Sequence, residues 1–367
     1  MTFFRGLGLI IGLELRQRVR GVAWYILVGI FVALVAIVTL LLWLTTSTWG
    51  NDFGDTAPGD SGAGGWLFSL ILYFVLLLGT LATPAFSGNA VNGERDAGTL
   101  ATTQVTLVTT PQIVLGKFVA AWISSLAFLV ASVPFILIAL LLGNLSAVTI
   151  AGSVLVLAAE LGVFAAFGVA LSALVTRPLF SIVLSYLVVA ALSVGTLIAF
   201  GLLGSVTTST VTETYIGFEA DEYDDATGEP VDPVCLDPEM RTFQQPRFDL
   251  YWGILAANPY VVIADAAPGG FDSHGYPTNL FGTLSSGVRS LQTPPELERV
   301  VDHCNGGEPG MSYLTDRPTP QEAHDAAVPS WFVGLGIHIL LAAGALWWAC
   351  VRTRTPAKRL AKGSRIA

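Results

Sequence analysis

Six apolar runs, each about as long as a membrane is thick, limit this chain more than anything else in it. They fall at 23–45, 66–87, 118–143, 148–174, 178–204 and 329–351. About 20 apolar residues in a helix cross a ~30 Å hydrocarbon core. In lipid the backbone has no water to bond, so each run must satisfy its own N–H and C=O groups as a helix. Only 12% of the 367 residues are charged, against roughly 25% in a soluble domain. The expected fold class is therefore an all-α polytopic membrane protein with six transmembrane helices, an N-terminal interfacial helix and a large extracytoplasmic insertion before the last helix.

The basic residues set the orientation. Arg5, Arg16, Arg18 and Arg20 precede the first run, Arg95 and Lys117 separate the second from the third, and Arg177 separates the fourth from the fifth. Arg352, Arg354, Lys358, Arg359, Lys362 and Arg365 follow the sixth. The intervening segments hold few cations and most of the acids. The positive-inside rule then places both termini and the loop 88–117 in the cytoplasm of a multi-pass protein of the cell membrane.

Residues 1–22 lack a small-residue cleavage site and read as a helix lying in the interface, Phe3, Phe4, Leu7, Ile10, Ile11 and Leu15 toward lipid and Arg16, Arg18 and Arg20 toward headgroups. Glu14 and Arg18 are spaced to pair at i,i+4. The short outer loop 46–65 is acidic and glycine-rich, with Trp49 and Trp66 as interfacial aromatics at its ends. The tail 352–367 is basic and suits anionic lipid headgroups.

The insertion 205–328 is rich in Pro, Gly, Asp and Thr and strongly acidic. Its run Asp221, Glu222, Asp224, Asp225 lacks the spacing of a calcium loop and reads as a solvated surface. Cys235 and Cys304 both lie here, on the oxidising side, where a disulfide between them is expected. The stretch 250–267 is apolar and aromatic but broken at Asn258–Pro259. It is too short to span, so it reads as two short helices at the outer leaflet, a re-entrant hairpin, or a buried helix of a soluble lobe. A broken backbone at membrane depth must be shielded by protein.

The chemistry is sparse. No Walker A phosphate loop occurs, nor an H-E-x-x-H run, a nucleophile elbow or a zinc-spaced Cys/His cluster. No catalytic residues, metal, bound cofactor or nucleic-acid partner are expected. Glu160 and His338 fall inside apolar runs at similar depths, where an ionisable residue is by default of functional interest. They could pair. A place on a transport or proton route and a structural interhelical bond both stand open.

The loop 88–117 is too ordered in composition to be a plain connector. Gly93-Glu94-Arg95-Asp96-Ala97-Gly98-Thr99-Leu100 is followed by Thr109-Thr110-Pro111-Gln112-Ile113-Val114-Leu115-Gly116-Lys117. In order and spacing this resembles the first cytoplasmic loop of the permease subunits of type-2 ABC transporters. Asn258-Pro259 with Ala264-Asp265 resembles the outer segment before the last span of that family. Ala101 stands where the family is often acidic, and the insertion is longer than the family minimum.

The resemblance implies a coupling helix, with Asn92, Glu94, Arg95, Asp96, Gly98, Thr99 and Leu100 against a separate ATPase subunit, present in two copies. ATP and Mg would be bound by that partner. A second copy of this chain, or a paralogous permease, would complete the assembly, and the substrate is open. The function expected is ATP-driven translocation, in the sense of export. The alternative is a non-transport complex of the same architecture that sends an ATP-driven shape change to the outer lobe for signalling or control of an envelope enzyme. A polytopic membrane enzyme with its active site in that lobe is a third reading, for which no nucleophile or metal set is found.

Overall fold

The computed structural model describes residues 2–49, 63–98, 109–143, 145–220, 222–223, 230–231, 234–267, 270–304 and 318–353. Residues 50–62 and 354–367, Thr99, Leu100 and the side chain of Trp49 lie outside the described residues, as do the side chains of the acidic run 221–225.

Six helices among the described residues are long and apolar enough to cross a membrane. Their ends follow local chemistry. α1 (Phe3–Arg20) stops at Gly21, whose extended backbone breaks it from α2 (Val22–Trp49), the first span. α3 (Ala63–Ser87) is the second span and carries Pro84 one turn from its end. After the short α4 (Asn92–Asp96), the third span α5 (Thr110–Leu142) opens with Pro111 in its first turn. A reciprocal capping box between Thr109 and Gln112 closes that end, two orphan donors satisfied at once.

The fourth span, α6 (Ala147–Leu174), is capped by Ser146. It is the hub of the bundle: 67% of its apolar window is buried, against 11% for the fifth span. Its Gly and Ala stripe makes this possible, because small side chains let helix backbones approach without a hydrophobic drive between them. Ser87 of α3 packs so closely on Gly168 that any Cβ there would overlap its hydroxyl.

The fifth span is interrupted. α7 (Pro178–Ala190) runs through a wide π-helical turn at Ala191–Gly195 into α8 (Thr196–Val206). α8 then passes through Thr207 alone into strand β1 (Thr208–Ile216).

Here the all-α expectation needs correction. The insertion contains a small mixed sheet of order β6-β1-β7, with β6 (Glu239–Pro246) antiparallel and β7 (Glu298–Asp302) parallel to β1. Two short ladders join β2 (Phe218–Glu219) to β5 (Val234–Cys235), and β3 (Glu222–Tyr223) to β4 (Pro230–Val231). β1 is a run of Thr, Val and Tyr, residues that suit a pleated, half-buried surface. Arg299 of β7 bonds Glu213 of β1 at 2.7 Å, a cross-strand ion pair of the kind that stabilises a sheet.

Cys235 and Cys304 are joined by a disulfide, with Cα atoms 5.5 Å apart and a sequence separation of 69. Closing a loop of that length stabilises by about 4 kcal/mol in the chain-entropy account. A Cys235→Ser, Cys304→Ser double replacement is therefore expected to loosen the lobe by about that amount, seen as unfolding of the insertion at lower denaturant. An unchanged denaturation profile would mean that the bond restrains nothing.

The rest of the insertion is helical. α9 (Trp252–Ala256) and α10 (Pro259–Ala266) form a broken pair, followed by α11 (Leu280–Ser290) and α12 (Pro320–Ala326), which lead to the sixth span α13 (Trp331–Thr353). Ala256, Val262, Ile263 and Ala264 are buried, and Asn258 is 1% exposed, so this broken backbone is shielded by protein as its composition requires.

α1 departs from the expected division of faces. Ile10 packs against Gly116 of α5, and Gly6 lies against the Gln112 side chain. Arg18 turns inward, donating to the Phe86 carbonyl at 3.1 Å and to Ser124 at 3.4 Å. The Gly6 and Gly116 contacts pull this side of α1 onto the third span. Arg5, Arg16 and Arg20 stay exposed beside Phe4, Leu9 and Leu13.

Candidate functional site

The loop between the second and third spans is built onto the end of the fourth. The backbone N–H groups of Val91 and Asn92 donate to Ser172 Oγ at 3.0 and 3.1 Å. Asn92 is fully buried, and its Nδ2 donates to Ser181 Oγ of α7 at 3.4 Å. Ser181 Oγ in turn donates to the Gly88 carbonyl. Arg95 reaches the Ala173 carbonyl at 3.1 Å, the Val175 carbonyl at 3.5 Å and Asn92 Oδ1 at 2.8 Å. The last carbonyls of a helix lack intrahelical partners and carry partial negative charge, so a guanidinium there is well placed. Gly98, at φ 69°, takes the left-handed backbone that lets the chain leave sharply.

Glu94 also turns inward. Its Oε1 accepts from Lys117 Nζ at 2.7 Å, while Glu14 Oε1 of α1 accepts from the same Nζ at 2.5 Å. Lys117 is 2% exposed. One buried ammonium therefore ties α1, α4 and the start of α5 together. Glu94 and Arg95 both have partners within the chain, and Asp96 and Ala97 are the exposed residues of this turn. The expected i,i+4 pair of Glu14 with Arg18 is long, at 3.9 Å, while Lys117 holds the other oxygen of the same carboxylate at 2.5 Å.

At mid-bundle Glu160 and His338 meet, both fully buried. His338 Nδ1 lies 2.9 and 3.0 Å from the two Glu160 oxygens, and His338 Nε2 lies 2.8 Å from the Ala257 carbonyl. A carbonyl oxygen only accepts, so Nε2 carries a proton. Ala257 sits at the break between α9 and α10. The adjacent Asn258 caps α10 by accepting from Tyr260 N at 2.9 Å, and its Nδ2 donates to the Ser193 carbonyl at 2.7 Å and Thr196 Oγ1 at 2.9 Å. Ser193 belongs to the wide turn of the fifth span, where α-helical hydrogen bonding is disturbed. Pro259 holds the first position of α10, where no N–H is needed.

Asp265 ties the end of α10 to the start of the sixth span. Its Oδ1 accepts from Ser285 Oγ at 2.6 Å and Arg289 Nε at 2.7 Å. Its Oδ2 accepts from Ser330 N, Ser330 Oγ and Trp331 N at 2.5, 2.9 and 3.0 Å. The carboxylate thus sits at the N-terminus of the sixth span. Burial pushes its pKa up, but the bonds from Ser285, Arg289 and Ser330 outweigh this and leave it below the usual carboxylate value.

Of the residues singled out in the sequence, the structure joins Asn92 to Arg95, Glu160 to His338, and Cys235 to Cys304. Asn258, Pro259 and Asp265 line the outer segment. Ser172, Ala257, Ser285, Arg289 and Ser330 were not marked, Glu14 was marked only as a partner of Arg18, and Lys117 only as the start of a span. A lysine directly before an apolar run is the one signal that pointed to it. Among the described residues no three His, Cys, Asp or Glu side chains gather as a metal site. No protein-family model matches this chain, and no curated protein matches it in sequence.

Proposed function

We propose that this chain is the membrane subunit of an ATP-driven transporter, an exporter that takes its energy from a separate ATPase. The observation that carries the reading is the mounting of α4. A helix of five residues is bolted to the end of the fourth span by Ser172 and Arg95 and to α1 and the third span by Lys117, while Asp96 and Ala97 face outward. Such an element moves only with the helices that hold it, which suits a lever for a partner. The loop sequence from Gly93 to Lys117, similar to that of type-2 ABC permeases, supports the same reading. On it, ATP and Mg belong to the partner, the assembly holds two ATPase copies and two membrane subunits, and both termini lie in the cytoplasm of the cell membrane.

The test is affinity purification of the full chain from its native membrane. A co-purifying ATPase is expected. Asp96→Arg is expected to weaken that association about tenfold or more, as loss and reversal of a contact charge does, with unfolding of the chain unchanged. Arg95→Glu, by contrast, is expected to destabilise the chain itself, because its partners are the carbonyls of α6. Absence of any ATPase, or full association in Asp96→Arg, would count against the reading.

One observation favours the alternative of shape change without transport. The fifth span enters β1 through a single residue, and Arg247 N–H donates to the Gly204 and Thr207 carbonyls at 3.2 and 2.8 Å, clamping the joint. Movement of that span is carried into the sheet. ATP-dependent movement of solute in sealed vesicles separates the two readings.

A further inference from the structure

The Glu160–His338 contact goes beyond a helix-to-helix bond, because its second arm holds the broken outer segment. His338 Nε2–H is committed to the Ala257 carbonyl. The contact at Nδ1 then needs one proton, on Nδ1 if Glu160 is ionised or on Glu160 if the imidazole is neutral. With either placement the pair is neutral overall and bonded. Without that proton, a lone pair on Nδ1 faces a carboxylate with no donor between them, and a net charge is left in the apolar core. Both groups are fully buried, so water offers no substitute.

No other charge stands by to relieve it. Among the described residues, α3, α7, the wide turn and α8 hold no Asp, Glu, Lys or Arg; α5 holds only Lys117, bound at its cytoplasmic end; and α6 holds only Glu160. The sixth span adds Arg352 at its inner end, and α9 and α10 hold only Asp265, already paired with Arg289. The tyrosines nearby are occupied, Tyr73 donating to the Tyr260 carbonyl at 3.0 Å and Tyr186 to the Leu81 carbonyl at 2.9 Å.

The segment itself is held at few polar points: His338 to Ala257, Asn258 to the fifth span, Tyr73 to Tyr260, and Asp265 at the outer end. Gly334, one turn before His338 on the same face, packs so tightly that a Cβ would overlap the Ala256 carbonyl and press on Val262. Displacing His338 therefore disturbs the seat of the whole break.

We infer that Glu160 and His338 form a binding site for one proton, and that this proton keeps the outer segment 252–266 seated between the fourth, fifth and sixth spans. The site takes its proton from the medium whenever the segment opens, and holds it while the segment is closed. This goes beyond the transporter reading and does not depend on an ATPase.

The experiment uses the full chain in lipid nanodiscs, with Cys350→Ser and Val262→Cys as the reporter, Val262 being fully shielded in the seated segment. Labelling by a small thiol reagent is followed from about pH 5 to about pH 9 and divided by labelling of the exposed position Thr242→Cys, which removes the reagent's own pH dependence. The ratio is expected to stay low while the proton is bound and to rise about tenfold as it is lost. Glu160→Gln keeps the bridge, since its amide donates to Nδ1 and has no proton to lose, and is expected to hold the ratio low throughout. His338→Ala is expected to be labelled at every pH. If that variant does not fold, the comparison with Glu160→Gln decides alone. A ratio independent of pH with the native pair, or the same pH course in Glu160→Gln, would overturn the inference.

Discussion

Replacing Lys117 with methionine should destabilise the chain by roughly 3–5 kcal/mol, the range for removing one member of a buried ion pair. Methionine keeps most of the stem, so little packing is lost. The cost arises elsewhere. Glu14 and Glu94 each lie within 2.7 Å of Nζ, and without the ammonium they face each other in a largely buried site with only Arg18, 3.9 Å from Glu14, as a counter-charge. The change acts on three elements at once, so α1, α4 and the foot of the third span should loosen together. Thermal unfolding in detergent, followed by helix content, is the measurement. Adding Glu14→Gln and Glu94→Gln to Lys117→Met should return a large part of the loss, because it is the orphaned charges that cost. If the single replacement moved stability by less than about 1 kcal/mol, the triad would be shown to be solvated and of no structural weight.

Asp265→Ala should rank beside it. Five hydrogen bonds end on that carboxylate, two from Ser330, one from Trp331, one from Ser285 and one from Arg289. Alanine leaves the guanidinium of Arg289 buried and unpaired, again a loss of about 3–5 kcal/mol, and removes the cap from the sixth span. The pH dependence follows from the lowered pKa. A carboxyl with a folded value below its unfolded one contributes stability that is complete above the unfolded value, ~3.9, and is lost as pH falls through the folded value. The native joint should therefore hold from neutral pH down to about 4 and fail only in stronger acid. In Asp265→Asn that acid-dependent part should vanish, with lower stability throughout. An acid limb of unchanged height in Asp265→Asn would assign it to other groups.

The sequence made the spans readable because a 20-residue apolar run has one solution in lipid, and because the signals at their ends are local. Pro111 with Thr109 and Gln112 starts the third span where capping chemistry puts it, and Asn258–Pro259 breaks the outer helix where a cap followed by proline must. What could not be read are joints between distant residues. Nothing near position 117 says that acids at 14 and 94 will converge on it. β1 has the Thr and Val content of a strand, but its parallel partner begins at Glu298, 86 positions from Thr212, and no short-range pattern carries that pairing. β6 gave little signal because seven of its eight residues are exposed, so no alternation marks a buried face. Glu94 and Arg95 were legible as charges that needed partners. That the partners lie inside the chain depends on the end of the fourth span being within reach.

The wide turn at Ala191–Gly195 bears on how the fifth span is drawn as a helical wheel. Its buried residues are Ser181, Ser185, Val189, Thr196, Phe200 and Gly204. Each step of four along an α-helix drifts about 40° around the axis, and a straight helix would carry Gly204 roughly 140° from Ser181. One extra residue in the turn takes back on the order of 100° of that rotation. The inner and outer halves therefore obey two wheels, offset from each other, and together they keep a single seam toward the bundle along the full length of the span.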